Sequence, residues 1–201
     1  MNLRYLWNRI LKKMRGVAIR NSSVHRTSKI EAGSQFVCSK MDKYSYCGYD
    51  CKIINCNIGA FCSIADEVVI GGAQHPTKWI AMSPVFFEGR DSVKQKFSEY
   101  RREPDLKTVI ENDVWIGDCS LIKAGCKIAT GAVVGMGSVV THDIGPYEIW
   151  AGNPARMIRK RFDEKMINDL LKSEWWNLSD KEIKKRAKYV KNPLKFIEDE
   201  V

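Results

Sequence analysis

The feature that most constrains this 201-residue chain is a six-residue period across 109–154, VIENDVWIGDCSLIKAGCKIATGAVVGMGSVVTHDIGPYEIWAGNP. Aliphatic side chains stand at Ile110, Ile116, Ile122, Ile128, Val134 and Val140, and a small or β-branched residue follows four positions after each. A period of six matches neither a helix, which repeats every ~3.6 residues, nor a strand, which repeats every ~2. It fits coils of three short flat strands stacked into a parallel β-helix, with one aliphatic side chain pointing inward from each strand. The small residue sits where a large one would crowd the turn.

The same period runs earlier and less regularly. It starts near Val24, passes Ile30 and Phe36, steps five residues to Met41, continues through Cys47 and Ile53, and steps five again to Ile58, Ile64 and Ile70. Between Ile70 and Ile110 it is absent. That interruption opens on His75-Pro76 and carries Trp79, Phe86, Phe87, Phe97 and Tyr100. A long loop thrown out of a regular scaffold is usually functional, and one rich in aromatics can wall a pocket or reach a neighbouring subunit. The fold class is therefore mainly β: a β-helix over 21–154 with an inserted loop at 71–108, preceded by a basic amphipathic helix in 1–20 and followed by a basic helical extension, 155–201. In the extension the sequence predicts helices from about Asp163 to Lys172 and from Ser179 to Lys191, the second with Ser179 as N-cap and Glu182 at its third position. Trp175 and Trp176 lie between them and are expected to anchor both to the coil.

Charge is concentrated at the two ends. The net charge is +9, and residues 1–20 hold Arg4, Arg9, Lys12, Lys13, Arg15 and Arg20 with no acidic residue. A second basic concentration begins at Arg156 and continues to Lys195. This implies an anionic ligand or surface, and without a recognised nucleic-acid module no nucleic-acid partner is expected. The segment 2–15 gathers Leu3, Leu6, Trp7, Ile10, Leu11 and Met14 on one helical face. Three readings of it stay open: a cap on the end of the coil, an interfacial helix on an anionic membrane, and a contact with a partner. No apolar run reaches the length of a membrane span. The seven cysteines are odd in number, form no CxxC pair, and several fall on repeat positions that want small side chains. They are expected to pack as small hydrophobes rather than bind metal, in a reducing cytoplasm or, if residues 2–15 bind lipid, at the inner face of its membrane.

Three segments carry a resemblance: NDVWIG at 112–117, GSVVT at 137–141 and AGNPAR at 151–156, together with the loop that opens on His75. With these the chain resembles the hexapeptide-repeat acyltransferases, in the branch of CoA-dependent xenobiotic and sugar O-acetyltransferases, over about Val24 to Phe162. The resemblance implies a left-handed coil assembled as a homotrimer, with active sites between subunits and acetyl-CoA as co-substrate, and no metal. A hydroxyl needs a base to attack a thioester, and histidine suits that task. His75 matches the family's base, whereas His25 lies in an early coil and His142 directly follows Thr141. The resemblance also implies that Gly117, Asp118, Met136, Thr141 and His142 line the CoA. Trp115 would lie near its acyl end or else pack in the core. Arg156 and Arg159 would meet the phosphates, with Lys160 helping, and Trp79, Phe86 and Phe87 would meet the acceptor. Two positions depart from the family: lysine is common where His142 stands, and a small residue where Met136 stands. Other readings are a sugar N-acetyltransferase, a non-catalytic trimeric scaffold, and a metal-dependent hydratase similar to gamma carbonic anhydrase. The last needs three convergent histidines, and these three are scattered along the chain.

Overall fold

A computed structural model describes residues 2–89 and 93–198. Its centre is a left-handed parallel β-helix with three walls, each a parallel ladder of short strands. Inward side chains stack in register from coil to coil. The first wall aligns Ile19, Phe36, Ile53, Ile70, Ile122 and Val140. The second aligns Val24, Met41, Ile58, Ile110, Ile128 and Ile144. The third aligns Ile30, Cys47, Ile64, Ile116, Val134 and Trp150. The weak inward residues Phe36, Met41 and Cys47 are buried as the period requires, and both five-residue steps fall at corners without shifting the register. Coil formation begins at Ala18 rather than near Val24, because Ala18–Arg20 pairs with Gln35–Val37.

The corners are tight, and one glycine shows how tight. Gly131 has φ +73°, and a Cβ there would lie 2.4 Å from the Tyr147 ring of the next coil. Of the seven cysteines, Cys47, Cys51, Cys56, Cys62 and Cys126 are buried, Cys38 and Cys119 are exposed, and all are free thiols. Burial pushes the Cys62 thiol up to about 12, as expected of an inert packing residue.

The last coil turns back on itself. Strand Glu148–Gly152 joins the third wall and pairs antiparallel with Ala155–Lys160, so the segment after residue 154 begins as a hairpin strand and not as a helix. The extension then forms helices at Glu164–Ser173, Asp180–Arg186 and Pro193–Ile197. The middle one starts at Ser179 with a reciprocal Ser179–Glu182 capping box and gives way to a 3-10 turn at Ala187–Tyr189. Trp175 packs on Phe61 of the coil at 4.9 Å between ring centroids, and Phe61 in turn meets Tyr44. These aromatic contacts dock the extension.

Helix α1, Leu3–Met14, is tied to residues on the side of the coil, Asp50 and Asp66. Lys12 Nζ reaches Asp66 at 3.6 Å and sits over the Tyr49 ring, and Arg15 pairs with Asp50 at 2.6 Å. Ile19, at the open end of the first wall, is 53 % exposed. The capping arrangement is thus not the one adopted. Among the described residues no helix is long and apolar enough to cross a membrane.

Candidate functional site

The loop leaves the first wall after Gly71 and rejoins the second at Thr108. Among its described residues a single Phe87–Tyr100 bridge stands in place of a ladder, so side chains satisfy part of its backbone. Arg102 makes a bidentate pair with Asp105, at 2.7 and 3.0 Å, and also donates to the Gln74 carbonyl at 3.3 Å. The Gln74 N–H donates to Asp105 Oδ1, and Asn55 Nδ2 of the coil donates to the Asp105 carbonyl at 3.0 Å. The two ends of the loop are therefore clasped together beside the coil, immediately before His75. The Arg102 guanidinium beside Asp105 holds its carboxyl below the usual range, against a smaller opposing effect of burial. Further out, Lys96 Nζ donates to the carbonyls of Pro84 and Phe87 at 2.7 and 2.9 Å, and Tyr100 N–H donates to Phe86.

His75 is held by this frame. Its Nδ1 lies 2.7 Å from the Met82 carbonyl oxygen. A carbonyl only accepts, so Nδ1 is the donor here, and in the neutral imidazole this tautomer places the lone pair on Nε2. The ring stands edge-on to Phe87, with centroids 6.1 Å apart. The exposed imidazole borders a cavity of about 400 Å³ lined also by Trp79, Arg101, Glu103 and Leu106. A side chain with a free basic nitrogen, a fixed tautomer and an adjoining cavity can take a proton from a bound hydroxyl.

The three aromatic positions expected to meet the acceptor play different parts. Trp79 lines the His75 cavity and stands edge-on to Phe87 and Tyr100. Phe87 is buried, edge-on to the imidazole. Phe86 turns towards Phe97 and lines a second, shallower cavity with Trp79, Ile80 and Tyr100.

The positions expected along CoA do not gather around His75 within one chain. Gly117, Asp118 and Met136 occupy the corner between the third and first walls. There a Cβ on Gly117 would lie 2.6 Å from the Met136 nitrogen, and Asp118 Oδ1 accepts from the Asp66 N–H at 3.0 Å. Met136 is 75 % exposed. Thr141 and His142 lie at the next corner, the one from which the loop departs further down the stack, and Thr141 Oγ1 contacts His142 Nδ1 at 2.8 Å. Trp115 projects from the outer face of the third wall and is 54 % exposed, which rules out core packing. Arg156 and Arg159 stand on the hairpin strand, each bonded only to a nearby backbone carbonyl among its described hydrogen bonds. Lys160 is engaged by Glu164 in an ion pair, which offsets the charge it would bring to a phosphate. The three histidines lie apart, and among the described residues no cluster of His, Cys, Asp or Glu could hold a metal ion. The clasp residues Gln74, Arg102 and Asp105 carry no periodic or motif signal and emerge only from the folded chain.

Comparison with known proteins agrees with this architecture. The family model for the bacterial transferase hexapeptide, six repeats, matches residues 107–142. A probable macrolide acetyltransferase from Lysinibacillus sphaericus is 42% identical over 130 residues, which cover 63% of this chain and 71% of that protein. The chain belongs to the hexapeptide-repeat acetyltransferases. A chloramphenicol acetyltransferase from Klebsiella aerogenes is 40% identical over 131 residues, and the match spans 61% of its length. The solved structure of an N-acyltransferase from Bacillus cereus, in complex with an amino-sugar nucleotide and coenzyme A, superposes with a TM-score of 0.58 at 21% identity. It covers 83% of this chain and 96% of that one, a likeness of fold.

Proposed function

We propose that this protein transfers an acetyl group from acetyl-CoA to a hydroxyl group of a sugar or an antibiotic, with His75 as general base, in a homotrimer whose sites lie between subunits. The observation that carries the reading is the His75–Met82 hydrogen bond, which fixes the tautomer whose basic nitrogen is Nε2, on a residue that lines a cavity large enough for an acceptor. In the forward step Nε2 takes the hydroxyl proton as the oxygen attacks the thioester carbonyl carbon. The C–S bond then breaks, and the imidazolium returns that proton to the departing thiolate. Atoms and charge balance without a metal. Base catalysis of this kind contributes roughly 10²–10⁴-fold.

The donor would run along Gly117, Asp118, Met136, Thr141 and His142, with its acyl end near Trp115 and its phosphates at Arg156 and Arg159. Most of these lie one wall away from His75 in the single chain, which supports a site completed by a second copy. Trp79, with one face on the His75 cavity, is the acceptor contact best supported by its position; Phe86 would act from the adjoining cavity, and Phe87 would hold the imidazole edge-on.

The experiment is release of free CoA thiol from acetyl-CoA by the purified protein, across a panel of sugars, amino sugars and antibiotics, alongside thermal stabilisation by CoA. Thiol release that depends on a hydroxyl acceptor supports the proposal. A strict requirement for an amine replaces it with N-acetyl transfer. No release with any acceptor and no stabilisation by CoA leaves a scaffold and overturns it.

A further inference from the structure

Helix α1 is attached the opposite way round from an ordinary surface helix. An amphipathic helix on a globular body turns its apolar stripe inward. Here the contacts with the coil run through Lys12 and Arg15, on the polar side. The apolar stripe lies roughly 140° around the helix from them and faces away. Leu3 is 83 %, Trp7 62 %, Ile10 51 % and Met14 74 % exposed, and no residue of the helix is buried. So large an uncovered apolar stripe marks an interaction surface.

The charge around the stripe selects its occupant. At ~100° per residue, Lys13 borders one edge beside Leu6, Arg4 borders the other beside Leu11, and Arg9 follows Lys13. None of these three has an ion pair among the described residues, and the helix holds no acidic side chain. Two such stripes facing each other in a two-fold pair would bring cations together, and a stripe covered by another face of a neighbour in a cyclic trimer is the outcome that the oligomeric-state readout below detects. An anionic bilayer surface would instead meet them with opposite charge, while the apolar side chains enter the headgroup region and the lysine and arginine stems extend towards the phosphates. We infer that α1 docks the protein flat on an anionic lipid surface, with the coil held on the helix's polar side by the Lys12–Asp66 and Arg15–Asp50 pairs. This inference does not depend on the transfer reaction.

The test is flotation of the full chain with phosphatidylcholine vesicles, with and without phosphatidylglycerol. Three proteins are compared: the wild type, a double variant W7S/I10S, and a triple variant R4Q/R9Q/K13Q. The wild type should float with the anionic vesicles and not with the neutral ones, and release at high salt. The apolar variant should bind at least about tenfold more weakly. The charge variant should lose roughly fivefold per side chain. Both should keep the wild-type melting temperature, since neither set of side chains holds the coil. Three results would overturn the inference. One is no flotation of the wild type. Another is flotation untouched by the apolar variant, which would place binding in the basic C-terminal segment. The third is a lowered melting temperature or altered oligomeric state in the apolar variant, which would show the stripe to be covered by the coil or by a second copy.

Discussion

The upper coils, 108–151, and the excursion between Gly71 and Thr108 are adjacent in sequence and held together by different means. In the coils each strand bonds its backbone to the strand below and above, and the inward Ile and Val side chains stack in register. In the excursion scattered backbone bonds, such as those from Phe97 and Ser98 to the Val85 carbonyl, are supplemented by charged side chains, chiefly Lys96, Arg102 and Asp105. Stability in the first comes from repetition and burial. In the second it comes from a few charge-assisted bonds that are specific to one arrangement. The difference sets stability apart from the proposed chemistry: His75, the proposed base, sits where repetition stops, on a frame bonded differently from the core.

This separation can be broken experimentally. The largest stability effect is expected in the coil, where Ile116→Ala removes a fully buried side chain of the third wall and should cost about 2–5 kcal/mol in denaturant unfolding. A loss comparable to a surface substitution would show that the stack does not carry the fold. Lys96→Met should do the reverse. Among the described residues it removes two charge-assisted bonds worth roughly 1.5–3 kcal/mol each locally, so protease cleavage within the excursion should rise several-fold while the global unfolding midpoint changes little. A matching drop in that midpoint would join the excursion to the core. The smallest effect is on acidification. Asp105's folded value lies below its unfolded one, so its contribution is present above the unfolded value, near pH ~4, and fades as pH falls through the folded value. Protection of the Gln74 amide, measured against its intrinsic exchange rate, should therefore fall below about pH 4 in the wild type and already be low at neutral pH in Asp105→Asn.

Much of the coil is legible in the amino-acid sequence. The stacked residues from Val24 to Val140 occupy the predicted positions because a six-residue period admits few backbones. The first strand is not legible in this way: Ala18–Arg20 has only one aliphatic inward residue, Ile19, and no preceding repeat to set its phase. The hairpin strand 155–160 is also hidden, since ARMIRK offers charge rather than alternation. Helix α1 is visible as amphipathic, but a helical wheel gives the position of the stripe and not which side is attached. At the candidate site His75 stands out through its place in the interruption. Arg102 and Asp105 do not, because a three-residue spacing in an irregular segment has no signature until the loop closes. The positions expected along CoA are spread over two corners and a hairpin, so no single segment of the sequence displays them together.

If a base on the irregular loop, and not a residue of the coil, performs the proton transfer, the decisive quantity is kcat of His75→Ala at saturating acetyl-CoA with an acceptor found in the thiol-release screen. It should fall about 10²–10⁴-fold, with an unchanged melting temperature and an unchanged KM for acetyl-CoA. A variant that keeps the wild-type kcat would contradict that assignment.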